Sequence, residues 1–84
     1  MLIDVRTSVE YAEGHIQNAM NIPLGDIATG NLGALQDVAK GESLQLYCRS
    51  GARSQSAQGL LQKIGFTNVV NLGSLEEAMR ALEP

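Results

Sequence analysis

The sequence predicts an α/β domain in which one parallel sheet carries helices on both faces. Three observations point there. Short apolar runs alternate with longer segments whose apolar residues recur at helical spacing, and no two-residue hairpin turn joins one run to the next. The 84 residues, 44% hydrophobic and 18% charged, fit a single domain over residues 1–84 and leave no room for a second core. Trp is absent and aromatic residues make up only 4%, so the core is expected to be aliphatic.

Taken in order, LIDV at residues 2–5 reads as the first strand, ending at the Asp4–Val5–Arg6 step. Ser8 is expected to cap a short helix reaching about Gly14, with Glu10 in the first turn where the helix dipole favours a carboxylate. AMNIP at 19–23 is a second short apolar segment stopped by Pro23, and residues 24–30 read as a turn region. From Asn31 to Ala39, apolar residues at 32, 35, 38 and 39 predict a helix ended by Gly41. LQLY at 44–47 is the third strand. Ser54 is expected to open the clearest helix, with Ala57, Leu60, Leu61 and Ile64 on one stripe, Lys63 in the last turn and Gly65 just past the end. Gly59 inside that helix costs about 1 kcal/mol against Ala, so a close packing contact is expected there. VVNL at 69–72 is the fourth strand. Ser74 and Glu77 form a capping box before Leu75, Ala78, Met79 and Leu82. Connections between parallel strands are expected to be right-handed.

Composition excludes several functions. A net charge of −3 disfavours nucleic acid, whose phosphates call for a basic stripe. One cysteine cannot form an internal disulfide or a multi-cysteine metal site, and one Cys with one His is a poor zinc set, so no metal is expected. No apolar run approaches the roughly 18 residues of a membrane span, and no charged-then-apolar leader is present. The first apolar run begins at Leu2, so either the natural protein starts there or a leader has been removed; the first points to the cytoplasm.

Against that acidic background, YCRSGARS at 47–54 stands out. It places the sole cysteine between a strand and a helix, flanked by Arg49 and Arg53. In parallel sheets, function gathers where strands end and helices begin. The small residues of RSGAR allow the backbone to curl so that its N–H groups point inward, adding to the positive end of the following helix. Such surroundings lower a thiol pKa from about 8.5, and the thiolate is the reactive form. A buried packing cysteine would not explain two adjacent guanidinium groups, which avoid apolar cores. Cys48 is therefore read as a nucleophile, and Arg49 and Arg53 as donors to an anionic substrate. The spacing C-x4-R is one residue short of the C-x5-R loop that wraps a phosphate in tyrosine phosphatases. A tighter cradle suits a sulfur attached to the cysteine.

Three segments in this order resemble the rhodanese (thiosulfate sulfurtransferase) family, and within it the smallest single-domain members. LIDVRTSVEYAEGHIQNAMNIPL is similar to the family's opening segment, YCRSGARS to its active-site loop, and GFTNVVNLGSLEEAMRAL to its closing strand and helix. The resemblance implies a three-layer fold, with Cys48 forming a persulfide and Arg49, Ser50, Gly51, Ala52 and Arg53 completing a six-residue anion-binding loop. It implies a small anionic sulfur donor such as thiosulfate, a cyanide, thiol or protein acceptor, and no organic cofactor. An exported relative would place the chain in the periplasm. Three departures are visible. The family usually carries a strand and helix before LIDVR, so the sheet is expected to have four strands in place of five. Asn18 stands where Gly is common. Ser74 and Ala78 replace a second Gly and a frequent Trp.

Asp4 and Arg6 close the first strand near the loop, either as supports for it or as a structural ion pair. His15 reads as a turn residue bonded to backbone, and Ser54 as a helix cap, while Ser50 either donates to a bound anion or caps the turn. Three functions compete: a sulfurtransferase working by double displacement through Cys48, a sulfur-carrier or partner-binding module with little turnover of small donors, and, disfavoured by loop length, a phosphatase or arsenate reductase. Oxidation of a reactive Cys48 would link two chains, so the oligomeric state is open.

Overall fold

A computed structural model describes residues 1–83. Strands β1 (Leu2–Asp4), β2 (Met20–Asn21), β3 (Leu44–Cys48) and β4 (Val69–Ser74) form one sheet in the order β2-β1-β3-β4. Every adjacent pair is parallel, as the absence of hairpin turns predicts. Between them lie helices α1 (Ser8–Glu13), α2 (Leu24–Ala28) and α3 (Ala52–Ile64) and a 3-10 helix at Gly33–Asp37, with α4 (Leu75–Ala81) after β4.

Alternation along the strands sorts the layers. Ile3, Val5, Leu44, Leu46 and Cys48 point to one face and join Ile27, Leu35, Ala57, Leu61 and Phe66 in a continuous buried cluster beneath α2, the 3-10 helix and α3. Tyr47 points to the other face, where it packs with Ala19 and Ala78 and, at the margins, Leu2, Tyr11, Ile16, Leu72 and Leu75. The core is aliphatic apart from Tyr47 and Phe66, both closed to solvent.

Several local expectations change. The cap of α1 is Thr7: its hydroxyl accepts from the Glu10 N–H at 3.2 Å, while Glu10 Oε1 accepts from the Thr7 N–H at 3.1 Å. This reciprocal pair moves the start one residue from the Ser8 cap expected. Residues 24–28, read as turn because of Gly25 and Asp26, are helical; Pro23 precedes the first turn with its fixed φ, and Ile27 anchors the turn in the core. The predicted helix at 31–39 is instead a five-residue 3-10 helix held by Leu35. Helix α3 starts at Ala52, two residues before the expected Ser54, because Gly51 in the left-handed region (φ 96°) turns the chain first. Ser54 then falls on the buried stripe with Ala57 and Leu61. Gly59 faces open space, and nothing in the structure explains it. Asn18 adopts φ 73°, a conformation Asn tolerates better than most residues, so it can stand where the family often has Gly. The capping box of α4, Ser74 with Glu77, forms as predicted.

Candidate active site

The C-terminal ends of β1, β3 and β4 converge with the first turns of α1, α3 and α4. Their residues build the site in three parts.

The first part is the sulfur. Cys48 ends β3 and is fully buried. The chain then reverses through Arg49 and Ser50 to Gly51, whose positive φ aims its N–H back at Sγ, 3.0 Å away. The Ser54 N–H and hydroxyl each lie 3.4 Å from the same sulfur. Burial pushes the thiol pKa up, but the donors from Ser54, Ser50 and Gly51 outweigh it, so Cys48 lies below the ordinary thiol value. Ser54 has one hydroxyl proton and three acceptors in reach: Asn71 Oδ1 at 2.6 Å, the Gly51 carbonyl at 3.0 Å and the sulfur. The proton can therefore turn to Sγ when negative charge develops there. Asn71 is fixed in turn, its Oδ1 accepting from the Gly73 N–H at 2.9 Å. A bulge in β4 opposite Leu46 and Tyr47 brings Gly73 beside the loop. A Cβ on Gly51 would sit 3.3 Å from Gly73 Cα, a tight contact that one of the two backbones would have to yield to accommodate.

The second part is the arginine pair, and the two differ. Arg53 was expected to meet an anion, but its guanidinium is occupied by Glu10: Nη1 donates to Oε1 at 2.6 Å and Nη2 to Oε2 at 2.9 Å. That bidentate pair, with the Thr7 N–H behind it, brings the Glu10 carboxyl down to about 2 and raises Arg53. Arg49 is exposed and has no hydrogen bond or ion pair among the described residues, so its donors are free. Sequence spacing did not reveal Glu10 or Asn71 as parts of the site; the capping motif at Thr7 was the only signal near Glu10.

The third part is the floor. Asp4, fully buried, accepts from Arg6 Nε at 3.0 Å and Nη2 at 2.6 Å, and Arg6 also donates to the Gly14 carbonyl. The pair is thus a structural ion pair tying β1 to the end of α1, and it leaves the sulfur to other donors. The Tyr47 hydroxyl accepts from the Ile16 N–H, and burial pushes its pKa up to about 12. His15 stacks on Tyr11 with its Nδ1 2.8 Å from the Tyr11 carbonyl, the backbone-bonded turn residue expected. A hollow of about 300 Å³ lies over this floor, lined by Arg6, Glu10, Glu13, Gly14, Arg49 and Leu75.

The fold and site define a parallel α/β domain whose hydrogen-bonded cysteine closes a strand just before the turn into a helix. Within that class the chain belongs to the rhodanese family: the model of the rhodanese-like domain matches residues 1–81. It is 36% identical over 75 residues to the thiosulfate sulfurtransferase PspE of Escherichia coli, covering 89% of this chain and 70% of that protein. It is 37% identical over 84 residues to the adenylyltransferase and sulfurtransferase uba4 of Ogataea parapolymorpha, of which it spans 21%. A solved rhodanese with anions from E. coli superposes with a TM-score of 0.74 at 35% identity, covering 90% of this chain and 87% of that one. Four parallel strands with helices around them are therefore the rhodanese-like fold, as expected from the sequence.

Proposed function

We propose that this protein is a sulfurtransferase that carries sulfane sulfur on Cys48. The observation that carries the reading is the convergence of the Gly51 N–H, Ser54 N–H and Ser54 hydroxyl on Cys48 Sγ. Donors so placed stabilise a thiolate, and they also suit the charge of a terminal persulfide sulfur.

In the first half-reaction the Cys48 thiolate attacks the outer sulfur of thiosulfate. A Cys48–sulfur bond forms, the sulfur–sulfonate bond breaks, and sulfite leaves with the bonding pair. In the second, a nucleophilic acceptor, cyanide or a thiol, takes the outer sulfur and Cys48 leaves as thiolate. Arg49, free and exposed, meets the donor's negative charge; Arg53, held by Glu10, stiffens the loop and adds its field to the sulfur. Ser50 supplies a further backbone donor, and Ala52 starts the helix whose N-terminus faces the anion.

Mass measurement tests this. Incubating reduced protein with thiosulfate is expected to add about 32 Da, removable by cyanide, with no addition to Cys48→Ser. An unmodified native chain, or turnover by the serine variant, overturns the mechanism.

The relative in which this domain spans only 21% of the length favours a second reading, a sulfur-carrying module that serves a protein partner. Slow turnover of thiosulfate together with rapid exchange with a protein persulfide would select it. Turnover of an aryl phosphate or arsenate would revive the phosphatase reading that the short C-x4-R loop disfavours.

A further inference from the structure

The hollow beside the cysteine loop contains charges of both signs, and they are in two different states. On its inner side Arg6 is committed to Asp4 and the Gly14 carbonyl, and Glu10 to Arg53 and Thr7. At its rim Arg49 and Glu13 are exposed and have no hydrogen bond or ion pair among the described residues. They face one hollow without bridging each other. Leu75 supplies an apolar wall.

A simple anion, the sulfur donor included, gains from Arg49 and is opposed by the free Glu13 carboxylate, so it is complementary to only half of the lining; a simple cation meets the opposite conflict. A ligand with both charges is complementary to the pair. We infer that this hollow receives the sulfur acceptor as a small zwitterionic thiol, its carboxylate on Arg49, its ammonium on Glu13 and its methylene against Leu75. The inference rests on the sulfur-transfer reading above. About 300 Å³ stands at the small end of the roughly 300–1,000 Å³ found for small-molecule sites, which suits a ligand of amino-acid size.

The chemistry balances without a further reagent. The acceptor thiolate attacks the outer sulfur of the Cys48 persulfide, and a new sulfur–sulfur bond forms as the bond to Cys48 breaks. Cys48 departs as thiolate with the bonding pair. The outer sulfur, which takes a proton from solvent after loading, leaves on the acceptor as a hydropersulfide.

The test uses full-length protein loaded with thiosulfate, freed of excess donor and checked for the gain of about 32 Da. Single-turnover discharge is then followed by loss of that mass with four thiols: cysteine, cysteamine (ammonium only), 3-mercaptopropionate (carboxylate only) and 2-mercaptoethanol (neither). Each variant rate is divided by the native rate with the same thiol, which cancels intrinsic reactivity. Glu13→Gln is expected to slow cysteine and cysteamine about tenfold relative to the other two, the size of one charge-assisted contact. Arg49→Gln is expected to slow cysteine and 3-mercaptopropionate by a similar factor relative to cysteamine and 2-mercaptoethanol. Equal ratios for all four thiols in either variant overturn the inference while leaving sulfur transfer intact. A native chain that does not load removes the sulfur-transfer reading, and the inference with it.

Discussion

On the α2–α3 side of the sheet, Ile3, Val5, Leu44, Leu46 and Leu61 lie in one closed aliphatic cluster that also encloses the Cys48 sulfur. On the α1–α4 side the buried set is Ala19, Tyr47 and Ala78, and much of the remaining space is held by polar pairs: Asp4 with Arg6, the Tyr47 hydroxyl with Ile16, Tyr11 with the Ala19 carbonyl. The hollow opens on this second side. Apolar packing thus fixes where the sulfur sits, while directional hydrogen bonds and ion pairs shape the space a substrate would enter. Apolar packing is tolerant of shape and forgiving of small repacking; a buried ion pair is not.

Breaking one member of each side should expose that difference. Asp4→Asn leaves the Arg6 guanidinium buried without its carboxylate, and a loss of about 3–5 kcal/mol in urea unfolding is expected. A cost below about 1 kcal/mol would mean that the pair is not what holds β1 to α1. Leu61→Ala, on the aliphatic side, is expected to cost about 2–4 kcal/mol, with the alkylation profile of Cys48 in the folded fraction unchanged.

At the site itself Ser54→Ala removes a donor that lowers the Cys48 pKa. Alkylation by iodoacetamide is then expected to be about tenfold slower at pH 7, with the rate profile displaced to higher pH. An unmoved profile would assign the sulfur's ionisation to the backbone donors alone.

The smallest effect concerns Glu10. Its folded-state carboxyl is depressed from 4.5 to about 2, so its contribution to stability is present above pH 4.5 and is lost as pH falls toward 2. Glu10→Gln should therefore show a shallower loss of stability over that interval than the native chain, together with a loosened Arg53 and slower persulfide formation. Parallel acid profiles would show that the Arg53 pair does not contribute.

What could be read in advance follows the same division. Strand order along the chain, the parallel sheet and the place of the Cys48 loop were legible, because short apolar runs, helical stripes and a C-x4-R spacing are local patterns. Helix α2 was hidden by Gly25 and Asp26, which are turn residues by propensity but helical here because Ile27 anchors the segment in the core. The true start of α3 depended on the left-handed Gly51 pressed against Gly73, a contact between segments more than twenty residues apart. Likewise the occupation of Arg53 by Glu10 joins positions 43 residues apart, and no spacing rule reports such a pairing. Asn71 escaped notice for the same reason, as an ordinary strand residue until the bulge in β4 turns it toward Ser54.

The complete burial of Cys48 has one more consequence. A thiol enclosed in this way is reached by a small reagent such as thiosulfate or iodoacetamide far more readily than by the cysteine of a second folded chain, so the empty protein is disfavoured from pairing into a disulfide-linked dimer. A loaded persulfide extends the reactive atom outward by about 2 Å, the length of one sulfur–sulfur bond. In the proposed cycle the protein therefore hides its sulfur when it has nothing to give and displays it when it does. An acceptor would distinguish the two forms by reach.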